Sequence, residues 1–312
     1  MKLSVVICTY NPDLKILSMV FKSLQEQTIS IGDWRLIVVD NNSNLMLKDH
    51  IDLSWHPNHL IIREEKLGLL NARITGYNLS EESLIIFVDD DNRLKNNYLE
   101  VALEFHRNHP RVGSFGGKSL PVYEKPPPQW FHKTGISLGC QDHGEHSILS
   151  EYHLVDFTIT EYPFFAPIGT GMAVTKPAMR TYINDIEGNK ERLGLGRSGD
   201  SLYSGEDNDM NLTFIKKGFE IAYVPELVVN HVIPEKRLRA DYLSRMSYNS
   251  SKSWIKLLHS HQLHSLKAIP RWTVPLRKAK AWVIYAAWKS PLNYTRWRGA
   301  CGTFEALSQL HE

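Results

Sequence analysis

The feature that most constrains this chain is a series of short apolar runs, each halted by polar residues and separated from the next by other patterning. Leu3 to Cys8 ends in Thr9-Tyr10-Asn11-Pro12, Leu36 to Val39 ends in Asp40-Asn41-Asn42-Ser43, and Leu84 to Val88 runs into Asp89-Asp90-Asp91-Asn92. Leu60-Ile61-Ile62 is a further run of this kind. After the first run, Leu14, Leu17, Val20, Phe21 and Leu24 recur at helical spacing, and helices are predicted over about 67–79 and 97–108. Continuous apolar strands alternating with helices imply an α/β fold with crossover connections and strands buried on both faces. Ligands bind such sheets outside the carboxyl ends of the strands. The three polar clusters are therefore predicted to share one rim.

A chain of 312 residues with 42% apolar content can bury a core without help from a metal or disulfide. Its three cysteines, Cys8, Cys140 and Cys301, are odd in number and far apart, which excludes a disulfide framework and suggests a reducing, cytoplasmic compartment. The opening apolar run is too short for a secretory leader, and no stretch reaches the eighteen apolar residues of a membrane span. Charge is distributed unevenly. Residues 1–235 carry 22 Lys/Arg against 31 Asp/Glu, whereas residues 236–312 carry 14 against 3 and hold five of the eight tryptophans. Two parts are expected: a domain over 1–235 and a basic, Trp-rich helical extension over 236–312. Cations interleaved with amphipathic rings suit an anionic membrane surface, a nucleic-acid backbone or an acidic partner; a helical cap with a solvated basic face has the same composition. The expected membrane set is Arg277, Lys278, Lys280, Trp282, Trp288, Lys289, Trp297 and Arg298, beside an apolar stripe of Leu276, Val283, Ile284 and Ala287.

Pro126-Pro127-Pro128 and Gly135, Gly139 and Gly144 predict a long loop region in the middle of the chain. Beyond it come a helix opening near Lys176-Pro177, a Gly-rich loop over 188–205, a helix over about 206–217, and two short strands at 219–224 and 227–229. Three adjacent carboxylates at a strand end repel one another unless a cation compensates. Oxygen ligands favour Mg²⁺ or Mn²⁺, ions that bridge one or two carboxylates to a diphosphate. A solvated turn capping the next helix is the plainer account of Asp89 to Asn92.

The sequence resembles a family 2 glycosyltransferase of the GT-A fold. The resemblance rests on Val5-Val6-Ile7-Cys8-Thr9-Tyr10-Asn11, Val38-Val39-Asp40-Asn41-Asn42-Ser43 and Phe87-Val88-Asp89-Asp90-Asp91-Asn92, in that order and spacing. It implies a Rossmann-like mixed central sheet flanked by helices, followed here by the C-terminal helical extension. It further implies an inverting, metal-dependent transfer from a nucleotide diphosphate sugar to a hydroxyl of a glycan or lipid-linked acceptor. Thr9, Tyr10, Asn11 and Asp40 would hold the nucleotide, and Gly68-Leu69-Leu70-Asn71-Ala72-Arg73 would bring Arg73 near it. The Asp-x-Asp element falls on Asp89 and Asp91, with Asp90 between; metal and donor contacts are shared among the three. Gly169-Thr170-Gly171-Met172 is similar to the acceptor-side glycine segment. Ser204-Gly205-Glu206-Asp207 is similar to the element in which the Asp is the general base, with Glu206 beside it. His231 corresponds to a histidine that completes the metal sphere, and Lys236, Arg237 and Arg239 to cations that meet the diphosphate.

The rival functions are a sugar nucleotidyltransferase, a catalytically silent nucleotide-sugar or glycan-binding module, and a nucleic-acid-binding protein. The first would need a Gly-rich phosphate loop with a basic residue after strand one, where Thr9-Tyr10-Asn11-Pro12 stands instead. The acidic rim argues against nucleic acid as a partner. Gly194-Leu195-Gly196-Arg197-Ser198-Gly199 matches a dinucleotide pattern but follows Asn189-Lys190-Glu191-Arg192 rather than a strand, and reads as a mobile loop. Cys140, His143 and His146, with His132 and His153 nearby, have ligand-like spacing for zinc but lack a second tight ligand pair.

Overall fold

The computed structural model describes residues 2–150, 159, 161–197, 199, 202–263 and 266–310. His153 and Ser198 lie outside the described residues. Compactness divides the chain into two units: Met1–Val122, Gly139–Asn189 and Met210–Val232 form the first, and Tyr123–Leu138, Lys190–Asp209 and Ile233–Glu312 the second.

In chain order the elements are β1 (Leu3–Thr9), α1 (Leu14–Gln25), β2 (Trp34–Asp40), β3 (His59–Arg63), α2 (Leu69–Leu79), β4 (Leu84–Asp89), β5 (Asn92–Leu94), α3 (Tyr98–Asn108), β6 (Val112–Tyr123), β7 (Ile148–Leu149), β8 (Ala173–Thr175), α4 (Lys176–Ile186), α5 (Lys190–Leu193), α6 (Glu206–Lys216), β9 (Glu220–Ile233), α7 (Ala240–Ser260), α8 (Val274–Ile284) and α9 (Pro291–Leu307). The described strands make one nine-stranded sheet of order β3-β2-β1-β4-β8-β6-β9-β5, with β7 also on β9. Strands β3, β2, β1 and β4 run parallel, while β8 is antiparallel to both β4 and β6. The sheet is therefore mixed.

The first strands form where the apolar runs lie. Every residue of β1 is buried, as a parallel strand covered on both faces requires. Helix α1 turns Leu17, Val20, Phe21 and Leu24 inward, and the Asp13 carboxylate caps it by accepting from the amides of Lys15 at 2.9 Å and Ile16 at 3.3 Å. Gly76 lets α2 approach β1 so closely that a Cβ there would overlap the Val6 side chain.

Besides the short β5 and β7, which the sequence reading does not contain, two longer strands depart from it. No strand is apparent over Val112–Tyr123, because Gly113, Gly116, Gly117 and Lys118 dilute the apolar run; yet β6 is central, and a Cβ at Gly117 would overlap the carbonyls of Val224 and Leu227. The two short strands predicted at 219–224 and 227–229 are one strand, β9, which passes through Pro225 and Glu226 and continues to Ile233. His231 consequently sits inside a strand rather than after one.

Under β2, the fully buried His56 packs edge-on against Trp34 at 4.1 Å between ring centroids and against Trp55 at 5.4 Å. Its Nδ1 accepts from the Asn58 amide at 3.1 Å. Burial lowers its pKa to about 4. The unfolded chain, with an ordinary imidazole, binds the extra proton first as pH falls, so the contribution of His56 to stability is constant above about pH 6.5 and declines toward pH 4. The loss is on the order of 2 kcal/mol. Urea denaturation from pH 7 to 4.5 checks this: His56→Gln should show a shallower decline than the parent.

In the second unit, α7 and α9 meet at small residues. A Cβ on Gly302 would overlap the Tyr248 carbonyl, and one on Gly299 would stand 2.8 Å from Ser247 Oγ. Among the described residues, no helix is long and apolar enough to cross a membrane.

Candidate active site

The register brings the polar clusters together. Thr9 is paired across the ladder with Asp40, and Cys8 with Asp89, so β1, β2 and β4 end side by side. Thr9 Oγ1 donates to Asp90 Oδ2. The buried Asp40 accepts from the Ser43 amide at 2.9 Å and pairs with Arg63 Nη1 at 3.1 Å. Asn11, in the left-handed region at φ 48°, links the two loops: its amide donates to Ser43 Oγ at 2.9 Å and its Oδ1 accepts from the Asn44 amide at 2.8 Å. Beside them lies a cavity of about 330 Å³ lined by Pro12, Leu14, Ser43, Leu45, Leu47 and His50 among others. Tyr10 is exposed at 38%.

Arg73 approaches this rim from α2. It is 2% exposed, its guanidinium lies over the Phe87 ring at 5.4 Å, and Nη2 stands 4.0 Å from Asp89 Oδ1 and 3.5 Å from the Gly169 carbonyl. A side chain at Gly169 would meet Nη2 at 2.7 Å, so the glycine makes room for the arginine. Gly171 takes φ +73°, and its carbonyl accepts from the buried Tyr98 hydroxyl, whose pKa burial pushes up, leaving it a neutral donor.

Strand β5 is antiparallel to β9, with Asn92 opposite His231. This pairing sets His231 Nε2 3.4 Å from Asp91 Oδ1, both side chains nearly fully buried, while Asn92 Nδ2 donates to the same oxygen at 2.9 Å. Cys140 Sγ lies 3.8 Å from His231 Nδ1, and Gly139, at φ +77°, leaves space for the imidazole. Thr9, Asn11, Asp40, Arg73, Asp89, Asp90, Asp91 and His231 all belong to the first unit. Among the described residues, no three His, Cys, Asp or Glu side chains form a ready metal cage.

Glu206 and Asp207 open α6 and belong to the second unit. Glu206 is buried against Gly196, and the half-buried Asp207 accepts the Asn208 amide at 2.9 Å. One turn on, the fully buried Asp209 is bound by Arg192 Nε at 2.8 and 3.1 Å and by His261 Nε2 at 2.6 Å. This ionic cluster joins α5, α6 and the end of α7 and has no counterpart in the sequence reading. Lys236 and Arg237 lie on the turn that follows β9, also in the second unit.

Sequence reasoning also missed Arg63, although it ends the apolar run of β3 as Asp40 ends that of β2, and the register pairs the two. The zinc-like set is dispersed. His143 stacks edge-on between Tyr223 and Phe164, and its pKa falls through burial; His132 belongs to the other unit. The loop around His143 is pinned through Lys118, whose pKa is raised by the Glu145 carboxylate it donates to, and through Asp142, whose pKa is lowered by the Gly144 amide. Within the Gly-rich segment, the Gly194 amide caps α5 and Leu195 is buried.

A mixed α/β sheet with helices, whose parallel half gathers carboxylates at the strand ends, defines the GT-A class of transferase fold. The family model described as "Glycosyl transferase family 2" matches residues 4–166, and the chain belongs to that family. It is 36% identical over 98 residues to dTDP-rhamnosyl transferase RfbF of Shigella flexneri, a match covering 30% of this chain and 31% of that protein. It is 23% identical over 257 residues to the Glucosyl-dolichyl phosphate glucuronosyltransferase of Haloferax volcanii, covering 80% of this chain and 74% of the relative. Among solved structures, the mannosyltransferase PcManGT from Pyrobaculum calidifontis, in complex with GDP-Man and Mn²⁺, superposes with a TM-score of 0.55 at 15% identity, covering 94% of this chain and 73% of that one. TarS 1–349 of S. aureus gives a TM-score of 0.51 at 15% identity, covering 100% and 91%.

Proposed function

We propose that the protein is an inverting glycosyltransferase that moves a sugar from a nucleotide diphosphate donor to a hydroxyl of a glycan or lipid-linked acceptor. The observation that carries this reading is the convergence of Thr9, Asp40 and Asp89 to Asp91 on one strand-end rim, with His231 Nε2 3.4 Å from Asp91 Oδ1. Family membership supports the donor class. The relatives' names span dTDP-rhamnosyl and glucuronosyl transfer, so the family leaves the sugar open. A dolichyl phosphate in one name favours a lipid-linked acceptor, whose sugar would be met at a bilayer surface.

The donor set fits a divalent ion. Neighbouring ligands at right angles in an octahedral shell stand about 3 Å apart when each is about 2.1 Å from the ion. Asp91 Oδ1 and His231 Nε2 already have nearly that separation, and a diphosphate supplies further oxygens. Mg²⁺ or Mn²⁺ held by Asp91 and His231, with Asp89 two residues away in the chain, would supply neutralisation of the charge that develops on the leaving diphosphate.

The chain's own groups do the remaining work in this reading. The apolar walls of Pro12, Leu14, Leu45 and Leu47 suit the flat nucleotide base, with Asn11 fixing the loops and the exposed Tyr10 next to it in the chain. Asp40 acts by holding Arg63 and the Ser43 amide, which shapes the wall. Thr9 orients Asp90, and Arg73 places a buried positive charge close to Asp89. The acceptor oxygen forms its bond to the anomeric carbon as the bond to the diphosphate oxygen breaks, and Asp207 takes the hydroxyl proton. Gly169 makes room for Arg73 and Gly171 for Val229 and Tyr98, so this glycine segment acts by close packing behind the rim rather than by opening backbone to the acceptor sugar.

The test is release of nucleoside diphosphate from a panel of dTDP-, UDP- and GDP-sugars with Mn²⁺ and a glycolipid extract, with the glycosylated product identified by mass. Transfer from at least one donor is expected. Binding without turnover across the panel would make the chain a nucleotide-sugar-binding module, and formation of sugar nucleotides from a nucleoside triphosphate would make it a nucleotidyltransferase.

A further inference from the structure

From residues 261 to 304 the chain carries eight Lys/Arg and no Asp or Glu. Within that stretch, α8 and the residues flanking it present to the outside what a helix normally hides. Trp272 is 74% exposed, Leu276 64%, Val283 65%, Ile284 67% and Trp288 57%. Leu276, Val283 and Ile284 fall seven and eight residues apart, on one side of the helix, with Lys280 between them at i+4. Val274 and Ala281 face inward. Arg271, Arg277, Lys280 and Lys289 are exposed around the apolar residues.

The structure also sorts the cations and rings. Lys278 is engaged with Glu305 at 2.6 Å, Arg298 lies over the Tyr248 ring at 4.5 Å, and Arg296 donates to the Lys133 carbonyl at 3.0 Å. Trp282 is the hub of a ring cluster, 4.8 Å from Trp297, 6.2 Å from Tyr294 and 6.3 Å from Trp288. The Trp297 indole N–H donates to the Lys278 carbonyl at 3.0 Å, and Ala287 is buried. Lys278, Trp282, Ala287, Trp297 and Arg298, expected from the sequence at an outer surface, thus hold the unit together. The outward face is Trp272, Leu276, Val283, Ile284 and Trp288 with Arg271, Arg277, Lys280 and Lys289.

We propose that this face of α8 is an interfacial anchor that lies in the headgroup layer of an anionic phospholipid bilayer, its apolar residues entering the acyl boundary. Charge selects this occupant. A second copy docked isologously would set these cations against themselves without a carboxylate to answer them. A nucleic acid would use the cations but leave Leu276, Val283 and Ile284 in water, whereas a bilayer edge takes apolar side chains, tryptophans and cations at successive depths. The inference rests on the surface of the second unit and stands independently of the transfer reaction.

The experiment is flotation of the whole protein with vesicles of phosphatidylcholine alone or with about one-third phosphatidylglycerol, read beside thermal unfolding of each variant. Binding is expected to the anionic vesicles only and to weaken steeply as salt rises from about 0.1 to 0.5 M. Neutralising Arg271, Arg277, Lys280 and Lys289 together to Gln should weaken it by at least a hundredfold, at about fivefold per cation. The set Leu276→Ser, Val283→Ser and Ile284→Ser should weaken it by about tenfold or more with unfolding unchanged, because these side chains are already in water. Failure to float at low salt would overturn the proposal. So would full binding by the serine variant, salt-sensitive binding to RNA in place of vesicles, or a dimer that the serine variant dissolves. Because flotation needs no donor or acceptor, an inactive preparation that floats and an active one that does not separate this proposal from the enzymatic reading.

Discussion

Asp207→Asn will preserve folding and donor affinity while reducing sugar transfer by about two to four orders of magnitude. The substitution removes proton acceptance but almost no volume, and the amide oxygen can still receive the Asn208 amide that Asp207 Oδ1 now accepts. Asp209→Asn supplies the contrast. It leaves the Arg192 guanidinium buried without its counter-charge and disturbs the His261 contact, a change that costs about 3 kcal/mol or more. A single scan of melting temperature and one of turnover distinguish them: the first variant is stable and slow, the second melts early. Near-parental transfer by Asp207→Asn would return that residue to a helix-terminal role and direct the search to Glu206.

The second large effect concerns Asp91. Asp91→Asn is expected to weaken Mn²⁺-dependent donor binding by about two orders of magnitude and to abolish measurable transfer, because the amide offers a poorer ligand to a hard cation. His231→Gln should follow in the same direction. Asp89→Asn, whose partner is Arg73 at 4.0 Å, should act on donor affinity more than on the dependence on Mn²⁺. Calorimetric titration with the donor, with and without the ion, measures all three. If donor affinity were indifferent to Mn²⁺ and to Asn at 89, 90 and 91, the ion would have no place in this site.

The parallel half of the sheet was legible because its strands are continuous apolar runs punctuated by polar clusters. β1, β2, β3 and β4 fall within two residues of the limits those runs predict. β6 was hidden by its glycines, which serve the close approach of β9 and so cannot carry the apolar signal. Pro225 concealed that β9 is one strand, since a missing N–H reads as a break even where the ladder resumes. At the site, the carboxylates stood out because charged residues at the ends of buried strands are conspicuous, whereas Arg73, inside α2, was reached only through the family resemblance. The partners that hold them did not. Arg63 on Asp40, and Arg192 and His261 on Asp209, depend on register and on contacts between distant segments, which local periodicity does not encode.

That β5 and β9 meet in antiparallel register means that the partner of Asp91 is chosen by counting residues rather than by a loop that could adjust. Inserting one residue between Pro225 and Asn230, with the preceding ladder kept in step, would deliver Asn230 to the place opposite Asn92 and move His231 one step along. Such an edit would also turn Ile233, and Leu227 and Val229 where the insertion precedes them, away from the core, so it would cost packing as well as the imidazole at the acidic rim. Length variation in this protein's lineage should therefore be tolerated in the connections that flank β9 and strongly selected against within those six positions.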